Sequence, residues 1–212
     1  MRLEAALIVL ALVAAMLHTL LPENGARPAL RRALKLAAVA ALLLLAVVRG
    51  GPVALIAALG LSVIADALPE TLTSPWTGLR DGLFALAALA YAGLFLRVGG
   101  GLSALSAEPA RSLVIAAGFA LFVTLTAWLS EPSRHPSAVA ILRAAVQVLA
   151  LASALTLPLD LWPAMVGAVG LTVSNQLETL QRFRARPSAL AAPWIWWLYF
   201  GGQCMIAYVC LR

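Results

Sequence analysis

The sequence predicts an all-α membrane protein, a polytopic helix bundle of about eight transmembrane helices. Of its 212 residues, 63% are hydrophobic and only 11% are charged, whereas soluble domains have about a quarter of their residues charged. The mean hydropathy is +0.96, and apolar segments near the ~20 residues that cross a bilayer as a helix recur along the chain. We therefore expect residues 1–212 to form a single integral membrane domain.

Eight apolar segments define the predicted helices. They cover residues 5–21, 29–48, 53–68, 79–97, 112–130, 138–157, 160–180 and 192–211. Most boundaries carry Pro, Gly or charged residues, which interrupt helices. The first segment follows a basic residue, as a signal peptide would, but Glu4 interrupts the basic start and no small-x-small cleavage site precedes Pro22. We therefore retain the first segment as a helix of the bundle.

The distribution of positive charge predicts the orientation, because Lys and Arg concentrate in the cytoplasmic loops of membrane proteins. With eight helices, the loops after helices one, three, five and seven share one side. That side carries Arg27, Arg31, Arg32, Lys35, Arg80, Arg134, Arg182, Arg184 and Arg186, and the opposite side carries Arg2, Arg49, Arg97, Arg111 and Arg212. The bias predicts a bacterial-type inner membrane protein with both termini outside the cytoplasm. Basic loops beside anionic lipids explain the net charge of +6 without a nucleic-acid partner.

Asp66 is the most informative single residue, because it lies near the end of the apolar run 52–66. Hydrocarbon gives a carboxylate almost no solvation, so intramembrane acidic residues are rare and usually functional. Protonation, a polar partner or a water-filled cavity would remove this cost of burying the carboxylate. Each of the three would make Asp66 part of a candidate functional site. A buried Asp66 bonded only to Tyr or Gln neighbours is the alternative.

Further polar residues cluster near the ends of the predicted helices. They are Ser62 and Asp66 in helix three, Tyr91 in helix four, Ser174, Asn175 and Glu178 in helix seven, and Tyr199 and Gln203 in helix eight. Partners within helices three, seven and eight lie three or four positions apart and share a face. Helices three and seven run in the same direction, and helix eight begins where helix seven ends. We therefore expect these side chains to converge at one depth, on the predicted cytoplasmic side.

Helices three and seven also resemble each other in sequence. Residues 60–63 (Gly-Leu-Ser-Val) match residues 170–173 (Gly-Leu-Thr-Val), and each stretch is followed by an Asp or Asn and a Leu. Four helices separate the copies, which is the pattern of two four-helix repeats in parallel orientation. Duplication is therefore one interpretation of the bundle.

Five motifs in order carry a resemblance to a known family. They are Arg27-Pro28 before helix two, Ser62-Val-Ile-Ala-Asp66 in helix three, the aromatic stretch Phe84 to Tyr91, Ser174-Asn175 with Arg182-Phe183 in helix seven, and Tyr199-Phe-Gly-Gly-Gln203 in helix eight. This series resembles the YhhN family of eight-helix membrane proteins, whose vertebrate members are lysoplasmalogenases. Two positions depart from the family pattern: Asn175 stands where the family has a second Asp, and Ala88 aligns with a His.

The resemblance implies an enzyme that hydrolyses the vinyl ether bond of a lysoplasmalogen, a lysophospholipid taken from the membrane. The products would be a fatty aldehyde and a glycerophospho-base, either glycerophosphoethanolamine or glycerophosphocholine. Vinyl ethers hydrolyse by protonation at carbon, and two carboxyl groups manage the related chemistry of glycosides. Asp66, kept protonated by desolvation, would be the acid. Asn175 can position water but cannot accept its proton, so Glu178 is the replacement base.

The remaining candidate residues would bind substrate. They are Ser62, Tyr91, Ser174, Tyr199 and Gln203. No cofactor is implied, and no cluster of metal-ligand type is visible, because His18 and His135 are isolated from the cysteines. Cys204 and Cys210 are expected to be packing residues rather than a disulfide.

Alternative interpretations remain at this stage. Glu178 could face the basic residues at 182–186 instead of acting as a base. Arg143 lies inside a span and could snorkel to the interface or bind a lipid phosphate. The whole protein could be a catalytically inactive relative that binds or senses lipids, an alternative that Asn175 and Ala88 would allow. It could also be a small transporter. Broken helices at mid-membrane are typical of transporters, and here the prolines lie mainly at helix ends.

Overall fold

The computed structural model describes residues 2–21, 28–68, 76–101, 108–129, 138–183, 188 and 190–212. Within these ranges the chain forms eight α-helices, one short 3₁₀ turn and no β-strand. The helices are α1 (Arg2–Leu20), α2 (Pro28–Val48), α3 (Val53–Ala67), α4 (Trp76–Val98), α5 (Pro109–Leu129), α6 (Ala138–Ala154), α7 (Trp162–Phe183) and α8 (Ala191–Cys210). The prediction of an all-helical bundle with eight helices is confirmed.

The helix boundaries differ from the predicted spans at the start of α4 and at the end of α7, and charged residues lie near both. The predicted fourth span begins at residue 79 and Arg80 was counted among the loop charges, but α4 begins at Trp76, so Arg80 and Asp81 lie in its second turn. The predicted seventh span ends at residue 180, but α7 continues to Phe183 and includes Arg182. Arg80 and Asp81 are buried, and Arg182 contacts Asp81, so contacts inside the bundle, and not hydropathy alone, determine where these helices begin and end.

Two of the described helices are long and apolar enough to cross a membrane by length and composition. They are Leu3–Leu20 and Trp76–Val98, and shorter apolar helices cover Val53–Ala67, Pro109–Leu125 and Ala138–Ala154. Large hydrophobic side chains are nevertheless exposed on every helix, for example Leu10, Leu44, Ile64, Leu86, Phe119, Leu149, Val166 and Tyr208. An apolar exterior around buried polar groups is the reverse of a typical soluble protein.

Helices α7 and α8 pack together at backbone distance. A Cβ atom added to Gly202 would lie 2.6 Å from the carbonyl oxygen of Gly167, and one added to Gly170 would lie 3.0 Å from the carbonyl oxygen of Leu198. Small residues permit this close approach between helices. The contact fixes the register of the two helices, and Ser174 Oγ accordingly donates a 2.8 Å hydrogen bond to the carbonyl oxygen of Ile195.

The two ends of the chain lie at the same end of the bundle. Arg49, which follows α2, donates hydrogen bonds to Glu4 at the start of α1 (2.7 Å) and to the carbonyl oxygen of Leu211 after α8 (3.0 Å). Because Arg49 links the start of α1 to the residue after α8, both lie at one end of the bundle, as an even number of traverses requires. Both cysteines, Cys204 and Cys210, are free thiols in α8.

Candidate functional site

A cavity of about 340 Å³ lies at the end of the bundle where α1, α3 and α7 end and α2, α4 and α8 begin. We call it the large cavity. Its ionisable and aromatic wall consists of His18, Arg31, Lys35, Asp66, Arg80, Glu178, Arg182, Phe84, Trp196 and Tyr199. The convergence follows from an up-and-down bundle, in which alternate helices end and begin at the same level. Charged residues of distant sequence position therefore share one wall.

Asp66 lies at the base of this wall and is only 1% exposed. The ammonium group of Lys35 lies 2.8 Å from its Oδ1 atom, and the Tyr199 hydroxyl donates a 2.7 Å hydrogen bond to its Oδ2 atom. An ionised carboxylate makes such contacts, since both of its oxygens then accept. The sequence suggested that protonation would relieve the cost of burying Asp66, and the structure places a cation and a hydroxyl donor against its two oxygens. Such partners relieve the same cost.

An ion network joins α4, α6 and α7 beside Asp66. Arg143 contacts Asp81 at 2.8 Å and Glu178 at 2.6 Å, while Arg182 contacts the same two carboxylates at 2.9 Å and 3.0 Å. Arg80 completes the network with a 2.8 Å contact to Glu178. Each carboxylate therefore bridges at least two guanidinium groups, the arrangement in which buried charges satisfy one another.

This network changes the interpretation of two residues. Glu178 is engaged by three arginines, so a water molecule must compete with them for its lone pairs, and the ion-pair interpretation is favoured over the general-base interpretation. Arg143, which hydropathy suggested would snorkel or bind a lipid phosphate, is buried and its terminal nitrogens contact the protein's own carboxylates. Helix rotation points it inward, away from the interface.

A second cavity of about 30 Å³ adjoins the first and is called the small cavity. Its polar wall contains Ser62, Tyr91, Ser174, Asn175, Gln203 and Tyr199. The Tyr91 hydroxyl, both amide atoms of Asn175 and the Oε1 atom of Gln203 are buried without a hydrogen-bond partner among the described residues. A cavity of this size accommodates a water molecule, and several polar partners are what a buried water requires.

The hydroxyl groups of two predicted substrate-binding residues are already used by the fold. Ser62 Oγ donates to the carbonyl oxygen of Ala58 at 2.8 Å, and Ser174 Oγ donates to α8 as described above. Each hydroxyl keeps acceptor capacity toward the small cavity. They can accept a hydrogen bond from a ligand, but their protons stabilise helices.

All eight residues selected from the sequence line one of the two cavities. Asp66 lines the large cavity, whereas Ser62, Tyr91, Asn175 and Gln203 line the small one. Both cavities are lined by Ser174, Glu178 and Tyr199. Phe84 also lines both cavities and separates one from the other. Arg184 of the predicted cytoplasmic side, like Arg27, Arg134, Arg186 and His135, lies outside the described residues. The catalytic and binding roles of the eight residues stay predictions.

Sequence reasoning missed four functional candidates. Lys35 and Arg80 were counted as loop charges, Asp81 was not considered, and Arg143 was given no protein partner. The sequence did contain a signal for Lys35. Arg31 and Lys35 are four residues apart at the start of an apolar helix and therefore share a face. Both in fact line the large cavity.

Comparison with known proteins identifies the class of this chain. The sequence model of the YhhN family matches residues 30–209. The match covers most of the chain, so the protein belongs to the YhhN family. No curated protein and no solved structure matches the chain. Within the described residues, no group of three or more His, Cys, Asp and Glu side chains is arranged to hold a metal ion.

Proposed function

We propose that this protein is an integral membrane hydrolase that cleaves the vinyl ether bond of lysoplasmalogens, releasing a fatty aldehyde and a glycerophospho-base. Family membership suggests a lysoplasmalogenase-like activity. The observation that supports it here is a buried carboxylate, Asp66, held between an ammonium and a phenol in the wall of the large cavity. This arrangement offers a transferable proton in an enclosed, largely apolar bundle.

Membrane insertion is part of the proposal. The exposed hydrophobic side chains on every helix would face lipid, and polar groups collect inside, as bilayers require. The common location of the two chain ends supports an even number of crossings. We propose eight crossings, with the large cavity on the cytoplasmic side and both termini on the other. If a C-terminal fusion to a reporter that works only in the cytoplasm were active, the orientation would be the reverse of the one proposed. The proposed chemistry would be unchanged.

The first chemical step is protonation of the substrate at carbon. Transfer of a proton from Lys35 to Asp66 along their 2.8 Å contact gives a carboxylic acid beside a neutral amine. Asp66 then donates that proton to the vinyl carbon farther from oxygen. The C=C double bond becomes a single bond, and an oxocarbenium ion forms. The regenerated carboxylate lies next to this cation and stabilises it electrostatically.

The second step is capture of the cation by water. The small cavity, with the amide of Asn175 and the Oε1 atom of Gln203, would hold the water, and Tyr199 borders both cavities. Water forms a C–O bond to the cationic carbon, and its proton returns to the neutral Lys35. The hemiacetal then breaks its bond to the glycerol oxygen, giving an aldehyde and an alcohol. One water is consumed, and the Lys35–Asp66 pair is restored.

Purified protein in a neutral detergent would test the activity. Two lysolipids of identical head group and chain length would be compared, one with an alkenyl and one with a saturated ether bond. We expect aldehyde release from the alkenyl compound alone, because a saturated ether cannot be protonated at carbon to give an oxocarbenium ion. The absence of aldehyde under conditions where the protein binds both compounds would contradict hydrolysis.

A second candidate, a lipid-binding relative without turnover, is favoured by Asn175, which replaces the second Asp of the family pattern. The variant Asn175→Asp separates the candidates. If the parent protein turns over substrate, restoring a carboxylate should keep or raise the rate. Aldehyde release that appears only in Asn175→Asp would show that the parent had lost catalysis and retained binding.

A further inference from the structure

We propose that Lys35 is a covalent binding site for long-chain aldehydes, which it holds as a protonated imine in the wall of the large cavity. The inference rests on the proposed function for the identity of the ligand, because a fatty aldehyde is the product of vinyl ether hydrolysis. The reactivity of Lys35 is argued from its position and contacts. It can be measured with added aldehyde, without turnover.

Lys35 is the only lysine in the sequence, and all the others of its 15 Lys and Arg residues are Arg. An arginine can pair with a carboxylate through two parallel hydrogen bonds, so charge pairing with Asp66 gives no reason for a lysine here. The two side chains differ in chemistry, because a lysine can lose its proton and form Schiff bases whereas an arginine remains charged. The large cavity is therefore lined by the one side chain of this protein that can form an imine.

Asp66 is placed to take and to return the proton of Lys35. The Nζ atom of Lys35 lies 2.8 Å from Oδ1 of Asp66, and the lysine side chain is 18% exposed. Transfer of one proton along this contact makes the lone pair of the amine available for attack on a carbonyl carbon. The carboxylic acid formed in this way can later protonate a leaving hydroxyl group, which is general acid–base catalysis within one pair.

Vinyl ether hydrolysis would release its aldehyde beside this amine. In the proposed mechanism Asp66 protonates the vinyl carbon farther from oxygen, so the neighbouring carbon becomes the aldehyde carbonyl. That carbonyl carbon is one bond away from the atom that received the proton, and Lys35 contacts the carboxyl group that gave it. Phe84, Ile195 and Trp196 form an apolar part of the same wall, which the hydrocarbon next to the carbonyl can contact.

Imine formation leaves the charge of the pair unchanged. The neutral Lys35 nitrogen forms a bond to the carbonyl carbon, and one proton moves from nitrogen to oxygen to give a carbinolamine. Asp66 then returns its proton to the hydroxyl group, which leaves as water while a C=N double bond forms. The imine nitrogen carries the positive charge that the ammonium carried, so the buried Asp66 carboxylate keeps a cationic partner.

The adduct would regulate the site as well as occupy it. A captured aldehyde fills the space beside Asp66 that the next substrate needs. Water must hydrolyse the imine before another cycle can begin, so accumulated aldehyde would slow the enzyme and limit its own production.

Reductive trapping in the purified full chain would test the site. The protein in a neutral detergent is mixed with hexadecanal and cyanoborohydride, which reduces an imine to a stable secondary amine, and modified peptides are quantified by mass spectrometry. The amino terminus is the reference amine, because at neutral pH an α-amino group is deprotonated far more often than an ordinary lysine. We expect the terminus to be modified more in the unfolded chain and Lys35 to be modified more in the folded chain. Folding should raise the ratio of Lys35 to terminal adduct by at least about 10²-fold, the contribution of a general acid–base partner.

Moving the lysine tests whether the cavity is responsible. Lys35→Arg keeps the positive charge beside Asp66 and should abolish the internal adduct. Lys35→Arg combined with Arg49→Lys places the single lysine next to Glu4 at the opposite end of the bundle, where the side chain of Arg49 is 42% exposed. This lysine also has a carboxylate neighbour but lies outside the cavity, and its modification should stay below that of the amino terminus. Asp66→Asn retains Lys35 without its proton acceptor and should lower trapping there about 10²-fold.

The substrate itself connects the site to the proposed reaction. An alkenyl lysolipid in place of hexadecanal should give a Lys35 adduct with the mass of its own chain, whereas a saturated-ether lysolipid should give none. Preferential trapping of hexadecanal at Lys35, in a protein that releases no aldehyde from the alkenyl lysolipid, would overturn only the proposed function. Aldehyde release without preferential trapping at Lys35, or equal trapping at the lysine of Arg49→Lys, would overturn only this inference.

Discussion

The two ends of the bundle use arginine in different ways. At the end that holds the chain termini, Arg49 is 42% exposed and links Glu4 to the carbonyl oxygen of Leu211. Arg111 is buried there, and its Nη1 atom donates to the carbonyl oxygens of Leu155 and Leu157. These arginines satisfy backbone acceptors at the end of α6 and after α8, which cations do well at helix C-termini.

At the opposite end, two arginines are each shared between two carboxylates. Arg143 and Arg182 bridge Asp81 and Glu178, and this network borders a large cavity. A pair of buried charges contributes little net stability, because desolvation offsets the attraction. The arginines of the terminal end therefore satisfy backbone carbonyl groups as well as carboxylates, whereas those of the opposite end connect carboxylates beside a charged cavity. The comparison predicts that equivalent substitutions at the two ends have very different effects.

The largest difference is expected between two carboxylate-to-amide changes. Asp66→Asn should lower vinyl ether hydrolysis by about 10²–10⁴-fold, the usual contribution of a general acid, because an amide cannot deliver the proton. Glu4→Gln makes the same chemical change at the terminal end and should leave the rate unaltered. Initial rates of aldehyde release, measured at equal amounts of folded protein, provide the comparison. Full activity in Asp66→Asn would eliminate the mechanism.

The next difference concerns stability. Asp81→Asn removes a buried carboxylate from between Arg143 and Arg182, and breaking one partner of such a network costs about 3–5 kcal/mol. Glu108→Gln is the matched change at the other end, where Glu108 is partly exposed beside Arg111, and should cost at most about 1 kcal/mol. Thermal unfolding of both variants in one detergent would measure the two effects. Equal shifts in the unfolding midpoint would show that the network is screened by solvent.

These contrasts also indicate what the sequence could and could not predict. Hydropathy predicts the eight helices because each must bury a continuous apolar length, and helix direction alone brings Asp66, Asn175 and Tyr199 to the same level. The partners of the charged side chains could not be predicted in the same way, because they depend on how each helix is rotated about its axis. The pairing of Lys35 with Asp66 and of Arg143 with Asp81 is set by inter-helix packing, which a single sequence does not reveal.

A smaller effect is expected for Glu178→Gln. Three arginines contact this carboxylate. We therefore expect Glu178 to hold these arginines in place in the cavity wall and not to accept a proton from water. The rate at saturating substrate should change less than tenfold, well below the ~10²–10⁴-fold loss typical of a missing general base. The KM for substrate is measured in the same assay, and a rise in KM would reflect the altered cavity wall. A rate loss as large as that of Asp66→Asn would restore the general-base role.

The smallest effect is expected at the terminal end itself. Arg49→Gln removes an exposed contact to Glu4, and exposed ion pairs contribute about 0–1 kcal/mol because water and salt screen them. A glutamine amide can still donate to the carbonyl oxygen of Leu211, so the link between α2 and α8 is kept in part. We expect the thermal midpoint to fall slightly, the fall to vanish in high salt, and hydrolysis to be unchanged. A loss of activity here without loss of folded protein would mean that the two ends of the bundle are coupled, and the separation of structural from functional arginines would then fail.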